Sequence, residues 1–504
     1  VIVANPAIVE PVVAAAVVLF RDGPEGREVF LVRRGADRRF AGGFHAFPGG
    51  RIDPDDAAIP VAGASGEEAA IVACGVRELF EETGVLVARG ARGDPSPLRE
   101  EGPGERARAE GLSADRRALL DGTLAFGELV RRRGLALDAS LLVPAGRWVT
   151  PEYLPIRYDA RLFLVELREG DRPEVWPGEL AGGGLVRVAD ALRRWSRGEL
   201  LLHPPNLHAL RVLARPGLPS LEDLRSPPEC DDGIARRVEF QEGFHLAALR
   251  TPTLPPATHT NAWLVPDGDG IAIVDPGAPD PDEQRRLLDL VDVLAAEGRP
   301  PRAVWLTHVH PDHTGAVSAV VARHRVPVRA HRLAAGRIPG NVEIAPVRDG
   351  DLLGGRFRVL ETPGHAREHL AFLDEDSGAL LCGDMVSTLS TIVVDPDEGD
   401  MAEYVRQLER LRALAPRTLY PAHGPPAPNA PERLAAYLGH RHDREALVAA
   451  ALAQGGNLAE ITARAYADTP PSLLPVAERS CLAILLKLAK EGRATESDGA
   501  WRAV

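Results

Sequence analysis

The chain has 504 residues, 45% of them hydrophobic, and a formal net charge of −13. That length exceeds a single hydrophobic core and implies about three domains, and the acidic balance argues against a surface coated for nucleic-acid binding. The longest early apolar stretch, 12–20, is far short of a membrane span and has no basic segment before it, so neither a membrane anchor nor a secretory leader is expected. Cys74, Cys230, Cys382 and Cys481 lie far apart and form no metal-type pair, which reads as reduced thiols in a cytoplasmic protein. Lys487 and Lys490 are the only lysines among abundant arginines, a pattern of genomic composition without a functional message.

Residues 1–215 read as mixed α/β, with strands predicted at 12–20, 29–33 and 161–166 and a helix over 67–83. The Pro- and Ser-containing stretch 216–236, with its acidic pair Asp231-Asp232, reads as a linker. A second α/β pattern occupies 237–440, with strands predicted at 262–265, 271–274, 304–307, 356–361 and 379–381 and a helix over 401–414. From 441 to 504 the pattern predicts helices only, over 444–453, 458–467 and 478–491. No internal repeat is visible.

The densest chemistry lies in Thr307-His308-Val309-His310-Pro311-Asp312-His313, which follows an apolar segment and precedes Thr314-Gly315. Neutral imidazoles and carboxylates suit zinc or a similar transition metal. A strand that delivers ligands at its end and turns into a helix is the expected setting. Downstream, His365 sits in Thr-Pro-Gly-His, Asp384 in Cys-Gly-Asp and His423 in Pro-Ala-His-Gly, while Asp275 ends an apolar strand upstream. Loops at strand ends are where functional groups gather. Two neighbouring divalent ions need roughly seven ligands, one of them bridging. His308, His310, Asp312, His313, His365, Asp384 and His423 supply that number without Asp275. His324, His331, His440 and His442 read as surface or packing residues, and His369 as a residue that could face the cleft.

On these motifs, residues 237–440 resemble the metallo-β-lactamase superfamily, most closely the beta-lactamase-like protein 2 group. The resemblance implies one metal on His308, His310 and His365, another on Asp312, His313 and His423, and Asp384 as the bridge. It implies two zinc ions, or manganese or iron, and a water acidified by both as nucleophile, with Asp312 positioning or deprotonating it. Asp275 would orient a ligand imidazole. Members of that group include single-strand endoribonucleases. Thioesterases like glyoxalase II are the nearest competitor, and the ligands alone do not separate the two.

The second signal is Arg77-Glu78-Leu79-Phe80-Glu81-Glu82-Thr83-Gly84. On a helix, Glu78, Glu81 and Glu82 share one face, where like charges repel unless a magnesium or manganese ion is coordinated. Ser65 with Glu68 reads as a capping box, and Gly84 as the helix stop. With Phe47-Pro48-Gly49-Gly50 upstream, the pattern resembles the Nudix hydrolase box, interrupted by a short loop that roughly doubles the usual glycine-to-arginine spacing. The usual intervening glutamate is not evident, and Asp53, Asp55 and Asp56 are nearby substitutes. A Nudix subgroup that includes coenzyme A diphosphatases shares this interruption. The resemblance implies Mg²⁺ or Mn²⁺ on the glutamates, Glu81 and Glu82 as catalytic carboxylates, Arg77 orienting them, and hydrolysis of a diphosphate linked to a nucleoside. Arg33, Arg34, Arg157 and Arg161 are weaker candidates for holding substrate phosphate, each read singly as a strand-surface residue.

The C-terminal segment resembles the winged-helix-like tail of the same lactamase group. Its apolar residues at 482, 485, 486 and 489 follow helical spacing, Gly492 is a natural C-cap, and Arg479, Lys487, Lys490 and Arg493 could touch phosphate. A solvated helix face with a packing role is at least as strong a reading. The sequence thus predicts a multidomain α/β hydrolase: a Nudix α/β/α sandwich, a metallo-β-lactamase αββα sandwich and a small winged-helix-like α domain. Its partners would be a small-molecule substrate, a nucleotide or a coenzyme A derivative, with RNA as an alternative and no membrane.

Overall fold

The structure is a computed structural model; it describes residues 9–35, 42–90, 104–168, 170–176, 178, 180–228 and 230–504, with the side chains of 104–111 left out. The chain divides into two compact units, one over 7–242 and the other beginning at Gly243.

The first unit is built on a sheet whose strands lie in the order Leu180–Arg187, Gly26–Arg34, Val12–Gly23, Tyr158–Glu166, Val143–Val149. Val12–Gly23 pairs parallel with Tyr158–Glu166 and antiparallel with Gly26–Arg34. Its central residues form an unbroken apolar run because both sheet faces are covered. Val17 and Leu19 join one core with Ile71, Val72, Val76 and Phe80 of the helix Gly66–Thr83; Val18 and Phe20 join another with Trp195 and Leu210, on the helices Val188–Ser196 and Pro204–Leu213.

The helix Gly66–Thr83 starts after Ser65, whose side chain makes no capping hydrogen bond, so the expected capping box does not form. It stops where Gly84 takes φ +77 and donates its N–H to Phe80 O. The stretch expected as a linker is built into this unit instead: Leu221–Arg225 is helical, Leu224 is buried, and Arg225 donates to Pro144 O at 2.8 Å. The prolines and charges that suggest a free linker flank one apolar anchor.

The second unit stacks two sheets. One runs through Phe244–Arg250, His259–Asp267, Gly270–Val274, Pro301–Trp305, Val328–His331 and Ile344–Val347; the other through Leu352–Leu353, Phe357–Glu361, Leu370–Asp374, Ala379–Gly383, Thr418–Pro421 and Ala427–Pro428. Aromatic rings join them: Trp305 meets Phe357 at 5.2 Å and Phe372 at 5.4 Å, and Tyr420 meets Phe244 at 4.9 Å and Trp263 at 5.0 Å. The helices Pro281–Ala296 and Val317–His324 bury apolar faces against the first sheet, and Met401–Ala413 and Ala430–Leu452 against the second, an αββα arrangement.

The helix Ala430–Leu452 runs straight through position 440, where the sequence suggested a boundary, and leads into the C-terminal helices. Those helices carry a small sheet, Gly456–Asn457, Ala500–Ala503 and Ala494–Ser497, where only helices were predicted. Its strands are short and carry charged residues, and a turn at Asp498-Gly499 joins two of them, so no apolar alternation announces them. In the helix Leu474–Lys490 the buried stripe is Cys481, Ile484, Leu485 and Leu488; Leu486 is exposed, so the buried face is turned from the one predicted. Gly492 takes φ +73 just past the helix end.

The aromatic layer between the sheets bears on stability. Trp305→Ala should destabilise the second unit by about 3–5 kcal/mol, read as a lowered urea midpoint with an unchanged denaturant slope.

Candidate active sites

Asp275 and four of the candidate ligands of the second unit leave the C-terminal ends of strands: Asp275 after Gly270–Val274, His308 after Pro301–Trp305, His365 after Phe357–Glu361, Asp384 after Ala379–Gly383 and His423 after Thr418–Pro421. His310, Asp312 and His313 come from the turn into the short helix Pro311–Thr314. Three groups of ligand atoms lie within 4.8 Å of one another: His308, His310 and His365; His308, His313 and Asp384; and Asp312, His313 and His423. The seven donors expected from sequence therefore converge.

Asp384 stands between the sets. Its Oδ1 is 3.6 Å from His313 Nε2 and 3.4 Å from His423 Nε2, while Oδ2 is 3.5 Å from His365 Nε2. Asp312 Oδ2 is 3.6 Å from His423 Nε2 and 3.9 Å from His313 Nε2. On the far side of the rings, acceptors fix four imidazoles: Asp275 Oδ2 at 3.0 Å from His313 Nδ1, Val393 O at 2.8 Å from His365 Nδ1, His259 O at 3.1 Å from His423 Nδ1, and Glu398 Oε2 at 2.5 Å from His310 Nε2. Such outward hydrogen bonds set which ring nitrogen is left to bind a metal.

His313 Nε2 and Asp384 Oδ1 are buried and have no hydrogen-bond partner. Buried polar atoms are rarely left so. Burial works against charge on His313, but Asp275, Asp312 and Asp384 outweigh it and hold the ring up to about 10. Burial pushes Asp384 the other way, yet His423 and His313 keep its carboxyl well below the usual range. Burial and its imidazole neighbours drive His308 well below 6.5. Three carboxylates thus crowd these rings, and the donor set of imidazoles and carboxylates fits a divalent cation.

Two residues gain roles that the sequence left open or missed. His369 is buried, faces Thr362 Oγ1 at 2.8 Å through Nδ1, and accepts the Asp384 N–H at 3.1 Å through Nε2. Gly383 has φ +48, and a Cβ there would meet His369 Nε2 at 2.7 Å and Thr307 at 2.8 Å; only glycine fits the turn that presents Asp384. Glu398 had no signal, being an exposed glutamate in an acidic loop far along the chain from His310. His324 and His331 stand beside Asp292 and Glu361 and are absent from the ligand clusters.

In the first unit, Arg77 is buried and gathers carboxylates. Its Nε and Nη2 donate to the two Asp56 oxygens at 2.9 Å each, and Nη1 donates to Glu78 at 2.9 Å and to Glu81 at 3.0 Å. Of the three aspartates considered as substitutes, Asp56 takes the position, 1% exposed, while Asp53 stays exposed at 4.0 Å from Arg77 and Asp55 lies on the surface. Asp56 also accepts the Asp53 N–H at 2.8 Å, which ties the inserted loop to the helix.

Glu82 accepts the Gly49 N–H at 3.0 Å, and Glu78 approaches Gly50 so closely that a Cβ would lie 2.3 Å from its carboxylate. Burial raises Glu78 to about 7 against the pull of Arg77. Glu78 and Glu82 line a cavity of about 540 Å³ with Arg34, Phe47, Trp148, Tyr153 and Phe240. Glu81 is not on its wall, and the three glutamates form none of the tight ligand clusters found among the described residues.

The weaker arginine candidates separate. Arg34 lines the cavity. Arg157 is buried and spends its guanidinium on Thr150 O and Val9 O, both at 2.9 Å; Arg161 pairs with Asp159, and Arg33 is exposed off the cavity wall. In the C-terminal domain, all four basic candidates are ion-paired: Arg479 with Asp395 and Asp397, Lys487 with Glu445 and Glu491, Lys490 with Asp400, and Arg493 with Glu445 and Glu491.

Comparison with known proteins matches each part. Residues 255–423 match the metallo-beta-lactamase superfamily, residues 458–501 the beta-lactamase associated winged helix domain and residues 10–107 the NUDIX domain. The chain is similar to a beta-lactamase-like protein 2 homolog of Drosophila melanogaster, 28% identical over 257 residues, covering 48% of this chain and 86% of that protein. It is 31% identical over 248 residues to lactamase-like protein vrtG of Penicillium aethiopicum, covering 46% and 76%. It is 31% identical over 229 residues to thioesterase pkgB of Emericella nidulans, covering 45% and 62%. The chain is a hydrolase of the metallo-beta-lactamase superfamily, fused to a NUDIX domain. Among the described residues no helix is long and apolar enough to cross a membrane.

Two outcomes test this geometry. Asp56→Asn should cost the first unit about 3–5 kcal/mol, because it leaves the buried Arg77 charge under-compensated; thermal unfolding measures it. Secondly, His203 stacks on Phe44 at 4.5 Å and is held down to about 4, by burial and then by Arg34. A depressed imidazole contributes stability that is complete above its unfolded value of 6.5 and lost as pH falls through about 4. Hydrogen exchange of the first unit should therefore show weakening protection over that window, and His203→Phe should flatten the slope.

Proposed function

We propose that the second unit binds two divalent ions, zinc or a similar transition metal, and hydrolyses a thioester, while the first hydrolyses a diphosphate linked to a nucleoside. A coenzyme A derivative, which contains both bonds, is the substrate class that accounts for the fusion. The observation that carries the two-ion reading is the arrangement of seven donors in three overlapping groups that share His308 and His313, with the buried His313 Nε2 and Asp384 Oδ1 in the central group. The relative named as a thioesterase supports the bond assignment. The ion-paired state of Arg479, Lys487, Lys490 and Arg493 weighs against RNA as the substrate.

Divalent ions held by His308, His310 and His365 and by Asp312, His313 and His423 would supply Lewis acidity and lower the pKa of water. The protein's own part is orientation and proton handling. Asp384, whose Oδ1 faces His313 and whose Oδ2 faces His365, would contribute to both sets of ligands, and Asp275 keeps the Nε2 of His313 turned inward. Asp312, more exposed than Asp384, is the carboxylate we assign to take the proton of the attacking water and return it to the departing thiol as the carbon–sulfur bond breaks. In the first unit Glu78, Glu81 and Glu82 would hold magnesium or manganese, and Glu82, which lines the cavity where Glu81 does not, is the carboxylate we assign as the base.

The test is a substrate panel on the full chain. His310→Ala should abolish thiol release from acyl-coenzyme A and leave phosphopantetheine release from coenzyme A intact. Glu82→Gln should do the reverse, lowering diphosphate cleavage by about 10²–10⁴-fold. Absence of both activities from the wild type would sink the coenzyme A reading. Cleavage of single-stranded RNA that is lost in His310→Ala would replace the thioester with a phosphodiester.

A further inference from the structure

Between the strand Ala379–Gly383 and the helix Met401–Ala413 the chain has no helix or strand. That irregular segment nevertheless supplies the acceptors behind two candidate ligands, Val393 O for His365 and Glu398 for His310. Irregular backbone of this length does not fix its own conformation. Within the segment's own domain it is tied by the Asp400 N–H, which donates to Gly364 O at 2.7 Å.

Its other ties come from the same domain, where Arg367 donates to Asp397 O at 3.0 Å, Thr388 Oγ1 to Pro425 O at 2.8 Å and Tyr404 Oη to Met385 O at 2.7 Å, and from the helices Leu474–Lys490 and Ala430–Leu452. On Leu474–Lys490, Arg479 donates from Nε to Asp395 Oδ2 at 2.9 Å and from Nη2 to Asp397 Oδ2 at 2.5 Å, and a second bond to Asp395 makes that pair bidentate. Lys490 pairs with Asp400 at the segment's end. On Ala430–Leu452, Tyr437 Oη accepts the Ile392 N–H at 2.6 Å, and the buried Arg441 donates to Ile392 O. An isolated surface ion pair contributes little, but a guanidinium forked across two carboxylates fixes geometry as well as charge. The acidic run Asp395, Asp397, Glu398 and Asp400 would otherwise repel itself away from the site.

We infer that the C-terminal winged-helix domain braces the metal centre: Arg479 and Lys490 are positioning residues that hold the 384–400 segment so that Val393 O and Glu398 aim His365 and His310 at one of the two ions. The inference rests on the two-ion reading above. It assigns these cations to the protein's own acidic loop, where the sequence left phosphate contact open.

Cobalt titration of the metal-free full chain tests it, followed by the visible d–d bands. In Arg479→Ala/Lys490→Ala, one ion should bind about 10-fold more weakly with an altered band, while the other binds as in wild type. Glu398→Gln should reproduce that split without touching the C-terminal domain. Arg479→Lys should restore part of the affinity. Arg493→Ala, whose partners are Glu445 and Glu491, should change neither ion. If Glu398→Gln binds both ions as wild type does, the inference is wrong even where the double variant fails to fold. Equal weakening of both ions in the folded double variant also overturns it. A wild type that binds a single ion defeats the two-ion reading separately, and weakening of that ion by both Arg479→Ala/Lys490→Ala and Glu398→Gln would still uphold the brace.

Discussion

Asp275 leaves its strand with φ +51 and turns its carboxylate onto the end of the neighbouring strand. There Oδ1 accepts the Thr307 N–H at 2.8 Å, and Oδ2 accepts the Thr307 hydroxyl at 2.7 Å and faces His313 Nδ1 at 3.0 Å. One buried carboxylate thereby fixes the start of the histidine turn and the inward nitrogen of His313. Thr307 Oγ1 in turn faces His308 Nδ1 at 3.0 Å, so the chain of contacts reaches a ligand of the other set. Burying a charge is costly unless it is fully paired, and here the pairing builds the site.

The two units meet the same electrostatic problem in different ways. The second gathers imidazoles and carboxylates, with Asp384 Oδ1 buried at 3.4 Å from His423 Nε2 and 3.6 Å from His313 Nε2. The first gathers acids on one helix face and neutralises much of their charge internally through Arg77, leaving Glu78 raised to about 7. The first unit therefore meets its acidic charge with a protein cation already in place, whereas the carboxylates of the second face imidazoles.

Much of this was legible in the chain. His308, His310 and His313 sit in one short run, and His365, Asp384 and His423 each announce themselves by Gly or Pro at a strand end. Periodicity placed the central strands and the helix Gly66–Thr83 because their apolar residues are dense and regular. Other features had no local signal. Asp56 was one of three nearby aspartates, and only burial against Arg77 distinguishes it. Glu398 and His369 act across folds of the chain, and the terminal strand pair Ala494–Ser497 and Ala500–Ala503 is short and polar. Arg479 and Lys490 could be read as phosphate contacts or as a solvated helix face, because sequence shows charge but not the acidic loop that meets it.

X-ray absorption at the metal edge of the zinc-loaded protein addresses the central claim most directly. The account predicts a first shell of nitrogen and oxygen only, together with a metal–metal scattering path at about 3.5–4 Å that disappears in Asp384→Asn. A single isolated ion, a sulfur-containing shell, or a metal–metal path that survives the loss of Asp384 would contradict it.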